Sequence, residues 1–123
     1  MAQDERALTD ADLEELRALL VADRARTECL LASLTGTFTS IVAASQDTAN
    51  DDEHDPEGST IAFERSQTST LLSASRSRLV DIDAALTRIA EGRYGFCERC
   101  ARPIPRGRLA ARPTALTCVA CAT

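Results

Sequence analysis

From Thr9 to about Ala44 the apolar positions Leu13, Leu16, Leu20, Leu30, Leu34 and Ile41 recur on alternating three- and four-residue steps, with Asp23, Thr27 and Thr37 filling intervening steps. Such an alternation keeps one side of an α-helix against a partner, so the pattern predicts a heptad seam with polar interruptions. Thr9 or Asp10 can cap its start, and Asp10 and Asp12 place acids in the first turn, where the helix dipole favours them. A second seam runs through Ile61, Thr68, Leu72, Ser75, Leu79, Ile82, Leu86 and Ile89 and is cleanest from Leu72 onward. It ends at Glu91-Gly92, since Gly is the favoured residue just past a helix. Between the seams, Gln46 to Ser59 collects acids together with Asn50, Pro56 and Gly58, a composition that stops helices. A short connection makes helical neighbours antiparallel. The predicted fold is mainly α: an antiparallel helical hairpin, or coiled coil, over residues 1–92, with an acidic tip at about 46–59.

Beyond Gly92 the pattern changes. Pro103, Pro105, Gly107 and Pro113 exclude a long helix and set off a small module over residues 93–123. It reads Cys97-Glu-Arg-Cys100, seventeen residues, then Cys118-Val-Ala-Cys121. Each pair turns two thiolates toward one point, and the loop between them returns the second pair to complete a tetrahedron, which suits Zn2+. Four protein thiolates leave no open position for water or substrate, so the expected site is structural and not catalytic. A thioredoxin-like redox pair would instead want one C-x-x-C at the start of a helix after a strand, and no such pattern is present. The fifth cysteine, Cys29, lies beside the Leu30 step and reads as a buried small hydrophobe.

Composition narrows the architecture and the partner. Four aromatic residues and no Trp among 123 residues leave little bulky material for a compact core, which favours an elongated or metal-supported chain. All fourteen basic residues are Arg, which reads first as a coding bias. The net charge of −5 is segregated, with Asp47, Asp51, Asp52, Glu53, Asp55 and Glu57 in one stretch and Arg93, Arg99, Arg102, Arg106, Arg108 and Arg112 in another. An acidic pole and a basic pole favour a charged macromolecular partner over a small apolar ligand. Net negative charge and a lack of aromatics for base stacking weigh against direct DNA binding. No apolar run approaches the length of a membrane span and the N-terminus lacks the signature of a signal peptide, so a cytoplasmic protein without a membrane segment is expected. There is no Ser/His/Asp set and no Gly-rich phosphate loop, and the single histidine, His54, reads as an exposed loop residue; no enzyme is predicted.

The segments Tyr94-Gly95-Phe96-Cys97-Glu98-Arg99-Cys100, Pro103-Ile104-Pro105 and Arg108-Leu109-Ala110-Ala111-Arg112-Pro113-Thr114-Ala115-Leu116-Thr117-Cys118-Val119-Ala120-Cys121 resemble the zinc finger of the DksA/TraR family. That finger runs roughly Y-G-x-C-x-x-C-G-x-x-I, then R-L-x-A-R-P-x-A-x-x-C-x-x-C. Members of the family carry an antiparallel coiled coil whose acidic tip enters the secondary channel of bacterial RNA polymerase and modulates initiation without needing DNA contacts. The resemblance therefore implies a transcription regulator that binds polymerase, with the finger docking and the tip acting. The family tip reads about D-x-x-D-x-A, whereas here Asp52-Glu53-His54-Asp55 keeps the spacing of the two aspartates and continues Pro56-Glu57-Gly58. Asp51, Asp52, Asp55 and Glu57 are the candidate partner-binding carboxylates. The alternative from another class is a zinc-stabilised coiled-coil adaptor that binds another protein or itself; monomer or dimer stays open.

Overall fold

The structure, a computed structural model, describes residues 7–48 and 56–122. Helix α1 spans Asp10–Thr48, α2 spans Pro56–Glu91, and the short α3 spans Arg106–Ala111, followed by a single 3-10 turn at Val119–Cys121. Among the described residues there is no strand beyond an isolated antiparallel bridge between Phe96 and Pro103. The chain forms two compact units, Met1–Ala25 with Val80–Thr123, and Arg26–Leu79.

In the first unit, the start of α1 is fixed by reciprocal bonds. The Asp12 N–H donates to Thr9 Oγ1 at 3.1 Å and the Thr9 N–H donates to Asp12 Oδ2 at 3.0 Å, so Thr9 caps the helix and Asp12 returns the bond. The Thr9 backbone bond is the main cause that lowers the Asp12 pKa from its ordinary value. At the other end, Gly92 takes φ +76 and the Arg93 N–H donates to the Arg88 carbonyl at 2.9 Å, which closes α2 where the sequence predicts. Leu16 and Leu20 of α1, Ile82 and Ala85 of α2, and Tyr94, Cys97, Ile104, Leu109 and Ala115 form one buried cluster. Large side chains from helices and loop thus share a single apolar interior, the kind of burial that contributes about 25 cal/mol per Å² removed from water.

The second unit follows its seam with smaller residues. Thr27, Thr68, Ser75 and Leu72 are buried. On α2 the predicted positions hold, but on α1 they shift: Leu30 is 51% exposed and Thr37 is exposed, while Leu31 and Phe38 are half-buried in their stead. An α-helix drifts by about 20° per heptad against a strict seven-residue repeat, which moves the inward position from Leu30 and Thr37 to the next residue. Cys29 is exposed, not buried as expected.

Two boundaries and the hydropathy of α1 differ from the sequence-based expectation. Helix α1 runs on to Thr48, and Pro56, Glu57 and Gly58 lie inside the first turn of α2, because Pro is well suited to the first helical position, where its missing N–H has no partner to lose. Asp51, Asp52, Asp55 and His54 lie outside the described residues. Finally, α1 contains over Asp10–Ala44 a stretch that by length and composition is apolar enough to cross a membrane, with mean hydropathy 1.2, although no such run was expected. The cause is the absence of charge between Glu28 and Asp47, where Thr, Ser, Gly and Ala separate the apolar residues. Two of those hydroxyls are satisfied on the helix itself, Thr35 by the Leu31 carbonyl at 2.8 Å and Thr39 by the Thr35 carbonyl at 2.9 Å.

Candidate metal centre

The first cysteine pair sits on a tight turn between Gly95 and Ile104. The Cys97 N–H donates to the Arg102 carbonyl at 2.8 Å, the Ile104 N–H to the Gly95 carbonyl at 2.7 Å and the Ala101 N–H to the Cys97 carbonyl at 2.9 Å. Gly95 takes φ +93, and a Cβ there would lie 2.8 Å from Leu8 Cδ1, so both conformation and space call for glycine. Ala101 takes φ +62, the left-handed region that L residues other than Gly seldom adopt. The family pattern quoted above has Gly at this position.

The second pair is carried by the 3-10 turn, with the Cys121 N–H donating to the Cys118 carbonyl at 3.1 Å. The Glu98 N–H reaches across to the Leu116 carbonyl at 2.9 Å, which ties the two pairs together. Two further locks hold the returning loop. The Tyr94 hydroxyl donates to the Pro113 carbonyl at 2.7 Å in a buried position, and desolvation pushes its pKa up to about 12 against the Arg88 guanidinium, which stands 5.9 Å over the ring. Arg108 Nε donates to the Thr117 carbonyl at 2.8 Å. Against α1, Arg106 pairs with Asp12 at 2.8 Å and with Glu15. None of these locks was foreseen from the sequence. Only the Tyr94 position carried a signal, as a lone tyrosine beside the first pair.

The Sγ atoms of Cys97, Cys100, Cys118 and Cys121 all lie within 4.8 Å of one another, and Cys100 Sγ stands 3.8 Å from Cys118 Sγ. None of the four is in a disulfide. A tetrahedron with Zn–S bonds of about 2.3 Å separates its sulfurs by about 3.8 Å, so the donor set and its spacing fit a zinc ion. Polar N–H groups already face the sulfurs, including that of Arg99 at 3.4 Å from Cys97 Sγ. Desolvation raises the Cys97 pKa, but the N–H groups of Cys100, Cys118 and Arg99 outweigh it and bring the thiol down to about 6. Cys121 is pushed up to about 12, first by its hydrogen bond with Cys118. Cys97 is buried, Cys118 and Cys121 are half-buried, and Cys100 is exposed.

Residues 92–123 match the profile of the prokaryotic DksA/TraR C4-type zinc finger. The C-terminal module is a DksA/TraR zinc finger. Its cofactor is zinc, and its four cysteines are positioned to hold one ion. RNA polymerase-binding transcription factor DksA of Caulobacter vibrioides is 50% identical over 40 residues, which are 32% of this chain and 28% of that protein. The uncharacterised protein YlyA of Bacillus subtilis is 39% identical over 56 residues, 46% of this chain and 45% of YlyA. The chain thus spans less than half the length of the curated relatives it matches. The structure of transcription factor DksA2 from Pseudomonas aeruginosa is similar with a TM-score of 0.75 and 26% identity, over 90% of this chain and 80% of that one. The likeness therefore takes in the helical hairpin as well as the finger. The structure brings the four cysteines together; of the candidate tip carboxylates, Asp51, Asp52 and Asp55 lie outside the described residues, and Glu57 is placed by its backbone in α2.

Proposed function

We propose that this chain is a cytoplasmic transcription regulator that binds bacterial RNA polymerase. In this reading the hairpin arm over 1–92 and the finger over 93–123 divide the work. Cys97, Cys100, Cys118 and Cys121 are the zinc ligands and keep the finger folded as a docking element. The acidic stretch with Asp51, Asp52, Asp55 and Glu57 enters the secondary channel and modulates initiation. The observation that carries the reading is the joint likeness to DksA-type transcription factors, of the finger in sequence and of the hairpin with it in fold. The four-thiolate donor set supports a structural zinc, since it offers no open coordination position to a substrate. Carboxylates suit the tip because they bind Mg2+ through oxygen or pair with basic side chains of the partner.

The test separates binding from effect. The double variant Asp52→Asn, Asp55→Asn keeps side-chain size and much of the hydrogen bonding while removing two charges. In a purified initiation assay it is expected to lose the transcriptional effect of the parent while still binding core polymerase. A double variant as active as the parent would remove the tip from the mechanism. A parent that binds no polymerase would transfer the molecule to the adaptor reading, and its fold would then be shared without the function.

A further inference from the structure

The finger exposes apolar side chains that its own interior does not use. Val119 is 69% exposed and Phe96 44%. Beside the cysteines lies an open cleft of about 520 Å³, walled by Pro103, Pro105, Val119 and Ala120, with Arg102 on its lining. A small module with so little core of its own gains nothing in stability from leaving Val119 in water, and a concave apolar surface with a polar rim is the usual anatomy of a binding patch.

The charge of the module that carries the cleft is one-sided, and Arg102 is the charged residue on the lining. Residues 93–123 hold six arginines and one acid, Glu98, and a four-thiolate zinc centre, with two net negative charges, leaves the module positive. Several of these arginines are engaged: Arg106 with Asp12 and Glu15, Arg93 with Glu91, and Arg108 with the Thr117 carbonyl. Arg99 and Arg102 are exposed and are in no ion pair among the described residues. The cleft offers no aromatic ring for stacking a base, which disfavours a nucleic acid as its occupant.

We propose that this cleft is the docking surface for an acidic segment of RNA polymerase, which inserts an apolar side chain between Pro103, Pro105 and Val119 and pairs its carboxylates with Arg102 and Arg99. The inference rests on the polymerase-binding reading above and names the face of the finger that serves it. Because Cys100, Cys118 and Cys121 also line the cleft, the docked segment would cover the sulfur cluster from solvent.

The experiment titrates the full-length zinc-loaded protein and its variants Arg102→Glu and Val119→Glu against purified core polymerase, with zinc content and helicity measured for each. Both side chains are exposed, so the fold is expected to survive. Each variant should bind about tenfold more weakly. The affinity of the parent should fall with salt more steeply than that of R102E. If a glutamate lowers the zinc content, Arg102→Gln and Val119→Ser replace it and should still weaken binding about threefold. A parent that binds polymerase together with variants that bind as tightly would overturn the cleft and leave the polymerase reading standing. A parent that does not bind polymerase would overturn both. Retention of DNA or RNA that is lost in R102E and V119E, with polymerase affinity unchanged, would assign the cleft to nucleic acid and overturn the proposal.

Discussion

The two compact units are built from the same two helices, yet they are stabilised differently. Around Leu16, Leu20, Ile82, Ile104 and Leu109 the first unit has large side chains with almost no exposure, two glycine turns and the sulfur cluster. Across Arg26–Leu79 the buried positions are Thr27, Thr68, Ser75 and a single leucine, Leu72, while Leu30, Phe63 and Leu71 face solvent. The α2 seam keeps its spacing through both, and the α1 seam shifts by one residue at Leu30 and Thr37 in the second. What also differs is the size of the residue on the seam. A heptad pattern therefore specifies which side of a helix turns inward, and side-chain volume decides how much that turn stabilises.

The strongest way to break this contrast is to take away the metal. Cys118→Ser, or chelation of the parent, should unfold the finger while much of the helicity over the second unit persists, since structural zinc supplies on the order of 10 kcal/mol to a module of this kind. Metal analysis together with far-ultraviolet circular dichroism reads the loss. The single tyrosine, Tyr94, adds a fluorescence signal from the first unit alone. Full zinc occupancy in the mutant, or an unchanged finger after chelation, would remove metal from the account. A smaller effect tests burial within the hairpin. Ile82→Ala should cost about 2–5 kcal/mol, and Leu30→Ala in the second unit should stay within about 0.5 kcal/mol, both measured by urea denaturation. Equal costs would mean that α1 keeps the strict heptad in which Leu30 points inward. The smallest effect concerns one backbone angle. Ala101→Gly should raise stability by about 0.5–1 kcal/mol by relieving a left-handed residue that carries a Cβ, visible as a higher melting temperature at unchanged zinc content.

How far the sequence could be followed depended on how local each signal was. The cysteine spacing is a short-range pattern with a single geometric solution, and the structure brings those four sulfurs together. The seam of α2 is also local and holds position by position from Ile61 to Ile89. The seam of α1 shifted at Leu30 and Thr37 because drift accumulates over heptads, and an uncharged stretch of Thr, Ser and Ala offers no polar face to pin the register. Pro56 and Gly58 read as helix breakers in the sequence, yet Pro is at home in a first helical turn and opens α2. The long-range locks were not legible at all: nothing in the spacing joins Arg106 to Asp12 and Glu15, or Tyr94 to Pro113, because pairings across such separations arise only once the fold is formed. Nor did the pattern announce that hairpin and finger residues would share one apolar cluster.

That cluster joins residues from both extremes of the chain, Met1–Ala25 and Val80–Thr123, while Arg26–Leu79 is contiguous. On the ribosome, where the chain emerges in order from its N-terminus, the contiguous unit is therefore complete in sequence first. Leu16 and Leu20 then remain without Ile104 and Leu109 until the finger has emerged. For that interval the leucine face has Ile82 and Ala85 of its cluster but not Ile104 and Leu109, and closure waits for the finger's cysteines and a metal ion. Zinc supply thus bears on how the first unit closes as well as on the finished molecule, because without metal Leu16 and Leu20 lack the finger's share of the interior they belong to.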